Sequence, residues 1–314
     1  MRTLHCLLTV LLLWSPAVGR EVLVDNVNGD DRFTGQLARD PGGMGGPVRT
    51  LAKALRIAGP GDTIILVKND APYRESFSLT GRRHSGDSQQ PFTIQGNGAI
   101  LDGSAPAPAE KWESYKGAIF RLRSRPMAYS QLFLDGRPAV RVFAGQSAKS
   151  PPELQPRQWC SLEGRIFFCV EKSKLPGDYK LSYAHDQTGI TLFHVERVRI
   201  ADLTVQGFQV DGVNLYNSAR EVSLSNVTCR GNGRSGVAVG GASQVTIDAS
   251  LLGNNGQAQL LTLPYSEAHL GNTRLLSNSA PGWVDQGGRV YIDGKRVKGG
   301  RDEFRPAAAR ERKP

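Results

Sequence analysis

Val198-Arg199-Ile200, Val222-Ser223-Leu224, Val245-Thr246-Ile247 and Ala268-His269-Leu270 are one short strand written four times. The first spacing is 222 − 198 = 24, and the next two are both 23. A second pair follows each: Leu203-x-Val205, Val227-x-Cys229, Ser250-x-Leu252 and Thr273-x-Leu275. A third recurs as Gly189-Ile190-x-Leu192, Gly212-Val213-x-Leu215 and Gly236-Val237-x-Val239, then blurs around Leu261 and Leu263. Alternation of this kind sends every second side chain to the same face of a strand. A unit this short cannot bury its own apolar residues, but stacked units give each strand a parallel neighbour and enclose a continuous core. The reading is an all-β solenoid of three-strand coils, regular over about residues 189–285. Val198, Val222, Val245 and Ala268 should form one inward ladder, and Cys229 should join Val205 and Leu252 in the next. Asn232, Asn255 and Asn278 recur at the same period, and stacked inward their amides would satisfy turn backbone.

Upstream, Leu51, Ala54, Leu55 and Ala58 recur at helical spacing and Gly59-Pro60-Gly61 ends the run, which predicts one short helix over residues 49–58. Thr63 to Val67, Pro91 to Ile94 and Ala99 to Leu101 read as strands. Residues 112–183 show no repeat and read as an excursion from the main body. Within it, Gln131 to Arg137 is a strand entering a turn, and Ser150-Pro151-Pro152 opens a loop. Trp159 to Cys169 reads as a hairpin. A Gly164-Arg165 turn would set Cys160 opposite Cys169, whereas a Glu163-Gly164 turn would set Cys160 opposite Phe167. The expectation is a Cys160–Cys169 disulfide with Cys229 left as a buried thiol.

Residues 1–19 have the layout of a secretory signal peptide: Arg2, an apolar run from Leu7 to Trp14, then Ala17-Val18-Gly19. No later stretch approaches the roughly 20 apolar residues of a membrane-spanning helix. A secreted, extracellular or periplasmic, monomeric chain without a transmembrane segment is expected, its β-helix domain covering residues 20–295. The basic stretch of residues 296–314 lacks apolar periodicity and reads as a disordered tail. The formal charge of +10 suits an acidic glycan or an anionic envelope, and export argues against nucleic acid.

Several segments carry a family resemblance. They are Gly46-Pro47-Val48-Arg49-Thr50-Leu51-Ala52-Lys53-Ala54-Leu55, Pro60-Gly61-Asp62-Thr63-Ile64, Tyr73-Arg74-Glu75, Ile100-Leu101-Asp102-Gly103 and the Asn-Gly-x-x-Gly turn at Asn232 to Gly236. Over about residues 22–285 the chain resembles the right-handed parallel β-helix, pectin-lyase-like superfamily of secreted carbohydrate-active proteins. The resemblance implies a right-handed solenoid capped at its N-terminal end by the short helix, and a polysaccharide partner. It does not choose among lyase, glycosidase and non-catalytic binding protein, because this fold hosts all of them. The Asp-Asp, Gly-His-Gly and Arg-x-Lys set of polygalacturonases, the Asp-Pro-His-Asp of alginate epimerases and the acidic calcium cluster of pectate lyases are not found in this sequence.

Two motif matches are set aside. Gly231-Asn232-Gly233-Arg234-Ser235-Gly236 fits a dinucleotide-binding pattern, but strand periodicity, not a helix, follows it. Asn226-Val227-Thr228 is a glycosylation sequon at a turn between core strands. Chemistry should reside on outward residues. Arg199 and His269 share an outward row but stand three coils apart, about 14 Å at one strand spacing per coil. The candidate site is therefore gathered at the first regular coils. His194, Arg199, Asp211 and Tyr216 are the catalytic candidates, and His185, Asp186, Asn214 and Arg220 the substrate-binding ones. Asp186 and Asp211, separated by 211 − 186 = 25 and so by close to one coil, should emerge on one edge. There two carboxylates would raise one pKa or recruit calcium. In a lyase, Arg199 or Arg220 would neutralise a uronate carboxylate and His194 or Tyr216 would take the α-proton. The ordinary alternative for Asp186 and Asp211 is turn geometry.

Overall fold

The computed structural model describes residues 19–36, 43–123, 129–145 and 147–297. The expected signal peptide, apart from Gly19, and residues 298–314 of the expected tail lie outside them. Among the described residues no helix is long and apolar enough to cross a membrane.

The architecture is a right-handed parallel β-helix built on the repeat. Val198 pairs in register with Val222, Val222 with Val245 and Val245 with Ala268. Phe92 precedes this ladder and Val290 extends it, and all six side chains are buried. Val205, Cys229 and Leu252 form the second ladder, with Leu101 before them and Leu275 after. The third runs Phe77, Ile190, Val213, Val237, Leu260 and Trp283. Burying a Val or Leu side chain contributes about 1.5–3 kcal/mol, so each added coil is stabilised by the one before it. In the five stacked coils from Phe92 to Ala268 one residue between the first two strands turns the chain in the left-handed region. The series is Asn97, Asp202, Asn226, Ala249 and Asn272, with φ between 46° and 54°. Asn and Asp tolerate that conformation, which explains their recurrence at this corner.

The inward amide ladder forms in part. Asn232 and Asn255 are fully buried, and Asn232 donates through its backbone N and its Nδ2 to Asn255 Oδ1 (3.0 and 3.1 Å). Asn278 does not continue it: it lies on the surface and pairs with Asn254. Gln259 takes its place, its Oε1 accepting from Asn255 Nδ2 at 2.8 Å, because the chain has left the regular period by Asn278.

At the N-terminal end the helix Leu51–Ile57 buries Leu51, Ala54 and Leu55 against the first strand, Glu21–Val24, and caps the solenoid. The Thr50 hydroxyl accepts from Lys53 N, and the Glu75 carboxylate accepts from Leu51 N and Ala52 N. These contacts satisfy amide donors that a helix start leaves open. At the other end the strand Lys295–Val297 closes the long sheet antiparallel to Arg289–Ile292, so Arg296 and Val297 belong to the fold and not to the tail.

The excursion begins earlier than residue 112. Ser104–Pro106 already pairs with Leu181–Ala184, the strand that returns the chain. These two belong to a four-stranded antiparallel sheet, and between them the chain also builds a five-stranded sheet, antiparallel except where Val140–Arg141 pairs with Gln158–Leu162. The two sheets pack over Trp112, Leu122, Leu132, Trp159, Ile166, Phe168 and Leu181. The chain then re-enters the solenoid in register, Ile190 on Phe77 and Val198 on Phe92.

The Cys160–Cys169 disulfide is corrected by the hairpin register. Glu163 and Gly164 both have positive φ, the signature of a type I′ turn, so Cys160 opposes Phe167 and Trp159 meets Phe168 in the core. Cys160, Cys169 and Cys229 are all free and buried. Burial pushes the Cys160 thiol up to about 11 and the Cys229 thiol up to about 12.

Candidate functional site

The stacking of Phe77–Thr80 on Ile190–Phe193 brings the loop of residues 81–91 against the start of the strand Glu196–Gln206. Ser85 Oγ accepts from Glu196 N, and Gly86 N donates to Glu196 O and Arg197 O. A Cβ at position 86 would lie 2.8 Å from Arg197 Cβ and from its carbonyl oxygen, so the approach requires glycine. From the other side the loop is pinned to the end of the capping helix. Arg83 donates to Arg56 O and Ala58 O, and His84, which accepts from Thr80 N at Nδ1, is left to donate from Nε2 to Leu55 O. Burial holds the His84 pKa below its ordinary value.

Between loop and strand lies a cleft of about 600 Å³ whose walls include Arg82, Asp87, His194, Glu196 and Arg197. It continues through Asp87, Ser88 and Arg197 into a hollow of about 180 Å³ reaching Glu221 and Ser223. Asp87 accepts from Gln89 N and Gln90 N, which holds its carboxyl below the usual range, so it is ionised at neutral pH. Arg197 and Glu221 occupy the same left-handed position in successive coils, with φ of 54° and 50°. Arg197 lines the cleft, and its Nε is buried with no hydrogen-bond partner among the described residues. Beside the cleft the His194 ring meets Phe193 edge-on at 4.2 Å, and Phe193 lies 5.9 Å from Tyr216, which is 63% exposed.

The sequence-predicted residues fall into separate groups. His194 lines the cleft, Tyr216 adjoins it through Phe193, and Arg220 stands in register with Glu196 on the next coil. Arg199 points outward in the row Thr93, Arg199, Ser223, Thr246 and His269. Asp211 is fully buried: Arg234 reaches it at 3.0 and 2.5 Å, Ser235 Oγ donates at 2.6 Å and Asn214 Nδ2 at 3.1 Å. His185 and Asp186 pair with each other at 3.0 Å where the excursion ends. The expected Asp186–Asp211 edge does not form, because Gln209 stacks on Asp186 while Asp211 stacks on Ser235. Among the described residues no three His, Cys, Asp or Glu side chains converge as a metal site would.

Asp87, Arg82, Glu196 and Arg197 were missed. The loop stands far ahead of its partner strand in the sequence, Ser85 against Glu196, and the excursion hides their adjacency from any repeat. The burial of Asp211 had a signal, since Arg234 and Ser235 stand one coil after it.

Comparison with known proteins bears on the fold. Residues 184–302 match the family described as "Right handed beta helix region". No curated protein sequence matches the chain. Two solved structures are similar: one entitled "The complex structure of XylC with xylose", at 12% identity and a TM-score of 0.50, and one entitled "Glycoside hydrolase", at 11% and 0.54. The likeness covers 87% of this chain and 63% of the first, and 80% of this chain and 72% of the second. At such identities it speaks to fold alone. Together with the ladders and the family match over those residues, it makes the fold a right-handed parallel β-helix.

Proposed function

We propose that this is a carbohydrate-active β-helix protein, exported after removal of residues 1–19, that receives an acidic extracellular polysaccharide in the cleft between the loop of residues 81–91 and the first regular coil. One observation carries the reading: His194, Glu196, Asp87, Arg82 and Arg197 line a single cleft beside the aromatic pair Phe193 and Tyr216. Ionised carboxylates accept sugar hydroxyls, guanidinium forks bind uronate carboxylates, and an exposed aromatic face packs on a sugar ring. Arg82 or Arg197 would neutralise a uronate while His194 exchanges the proton, as a lyase requires. With Glu196 as acid or base the same walls suit a glycosidase. Both similar structures are carbohydrate-directed by title, which supports the reading by analogy of fold. A monomer is part of this proposal, with calcium an optional ligand of the cleft carboxylates.

A second reading, glycan binding without turnover, is favoured by Asp211. The most buried of the catalytic candidates is already committed to Arg234 and Ser235. The test is a screen of the purified protein against polygalacturonate, alginate and glycosaminoglycans, scoring new unsaturated ends, new reducing ends and binding. His194→Ala and Glu196→Gln should each lower turnover by about 10²-fold or more with the melting temperature unchanged. If there is only binding, they should weaken it. Wild-type behaviour of both variants would remove the cleft from consideration.

A further inference from the structure

The excursion carries a second surface, away from the cleft. Residues 103–184 contain 13 Lys and Arg against 7 Asp and Glu, whereas residues 189–285 contain 6 against 7. In the five-stranded sheet, Arg165 of the strand Arg165–Cys169 directly opposes Arg123 of the strand Ile119–Arg123. Two guanidinium groups therefore leave the same face from Cβ atoms about 5 Å apart. Arg121, two residues along the same strand, opposes Phe167 and donates to Glu113 at 2.8 Å. Among the described residues neither Arg123 nor Arg165 has an ion-pair partner. Like charges set opposite each other in a sheet destabilise it. The fold tolerates this cost on a face that nothing in the packing requires to be basic.

We infer that this face anchors a polyuronate, the carboxylates of successive sugars entering the Arg123 and Arg165 forks. Planar guanidinium groups bind planar carboxylates through two parallel hydrogen bonds, a match that lysines would not offer. Tyr115, 39% exposed and held edge-on against Phe167 at 5.1 Å, gives a sugar ring a flat neighbour beside the cations. The apolar part of the face, Cys160, Phe167 and Cys169, is closed by Leu154, so it offers no wedge to a lipid bilayer. The inference takes from the proposed function only that the ligand is a glycan, and none of these residues lines the cleft.

The test uses the full chain and the double variant Arg123→Gln/Arg165→Gln on immobilised polygalacturonate, at low and at physiological salt. The double variant should bind about tenfold more weakly, with a shallower salt dependence and a melting temperature equal to or above wild type. Unchanged affinity would overturn the inference, as would weaker binding accompanied by a lower melting temperature. Wild-type binding to dextran sulfate or to anionic lipid vesicles in preference to polygalacturonate would also overturn it. Cleft function is read separately, on short oligouronides or by turnover, and should not change in the double variant. Failure of one reading thus leaves the other standing.

Discussion

The regular coils and the excursion solve the same packing problem in opposite ways. In the coils each apolar residue rests on its own copy, Val198 on Val222 on Val245, and residues 189–285 are nearly neutral, with 6 basic against 7 acidic residues. In the excursion Trp112, Trp159 and Phe168 interlock once, without repetition, and the surface carries the greater part of the net positive charge. A repeated interface tolerates variation at outward positions, because each coil is templated by its neighbour. A single interface must be correct at every position. The coils supply a rail on which groups can be mounted, while the excursion is a separate module whose surface chemistry is independent of the rail.

The comparison can be broken most severely at Val222. Replacement by Asp buries a charge between two apolar neighbours, costs more than about 4 kcal/mol and should leave no folded protein. A folded Val222→Asp variant with the wild-type circular dichroism spectrum would show that the ladder does not hold the coils. Trp159→Ala should cost about 3–5 kcal/mol, but within the excursion alone. Hydrogen exchange should then rise over residues 112–183 while residues 198–275 stay protected. Equal loss of protection in both would make the two regions one cooperative unit.

The smallest effect is expected at His84, where the non-repeating loop meets the capping helix. Its imidazole is neutral, and its folded pKa lies below its ordinary value of 6.5. The unfolded chain therefore takes up the proton first. The contribution of His84 to stability is whole above about pH 6.5 and falls away as pH drops through the folded value. The melting temperature should fall more between about pH 7.5 and about pH 5 in wild type than in His84→Gln. Parallel profiles would remove His84 from the account.

What could be read from the sequence follows the same division. The ladders through Val198, Val205 and Ile190 were legible because alternation and period both have physical causes that act locally. Asn278 misled because the period lapses there, and Gln259, outside the asparagine series, completes the amide contact. The pairing of Cys160 and Cys169 turned on a single step of turn register, which Glu163 and Gly164 settle with two left-handed conformations. The grouping of Asp186 with Asp211 counted along the chain across the seam where the excursion rejoins the coils, and there the interval between them is not one coil. Asp87 and Arg197 meet only through pairing across the excursion, for which one sequence carries no local signal.

The in-register return of the chain also bears on the order of folding. Val198 pairs with Val222 over a separation of 222 − 198 = 24, but with Phe92 over 198 − 92 = 106. Closing the longer loop costs about 1.3 kcal/mol more in chain entropy, because the cost grows as the logarithm of length. Contacts of long sequence separation also form late in general. The coils from Val198 onward would therefore nucleate first, although they are synthesised last. The helix-capped N-terminal coils would join them only once the excursion has collapsed and brought its two ends together at Ser104 and Ala184. Synthesis from the N-terminal side presents the chain in the reverse order, and the first coils would wait, unpaired on one edge, for the nucleus to arrive.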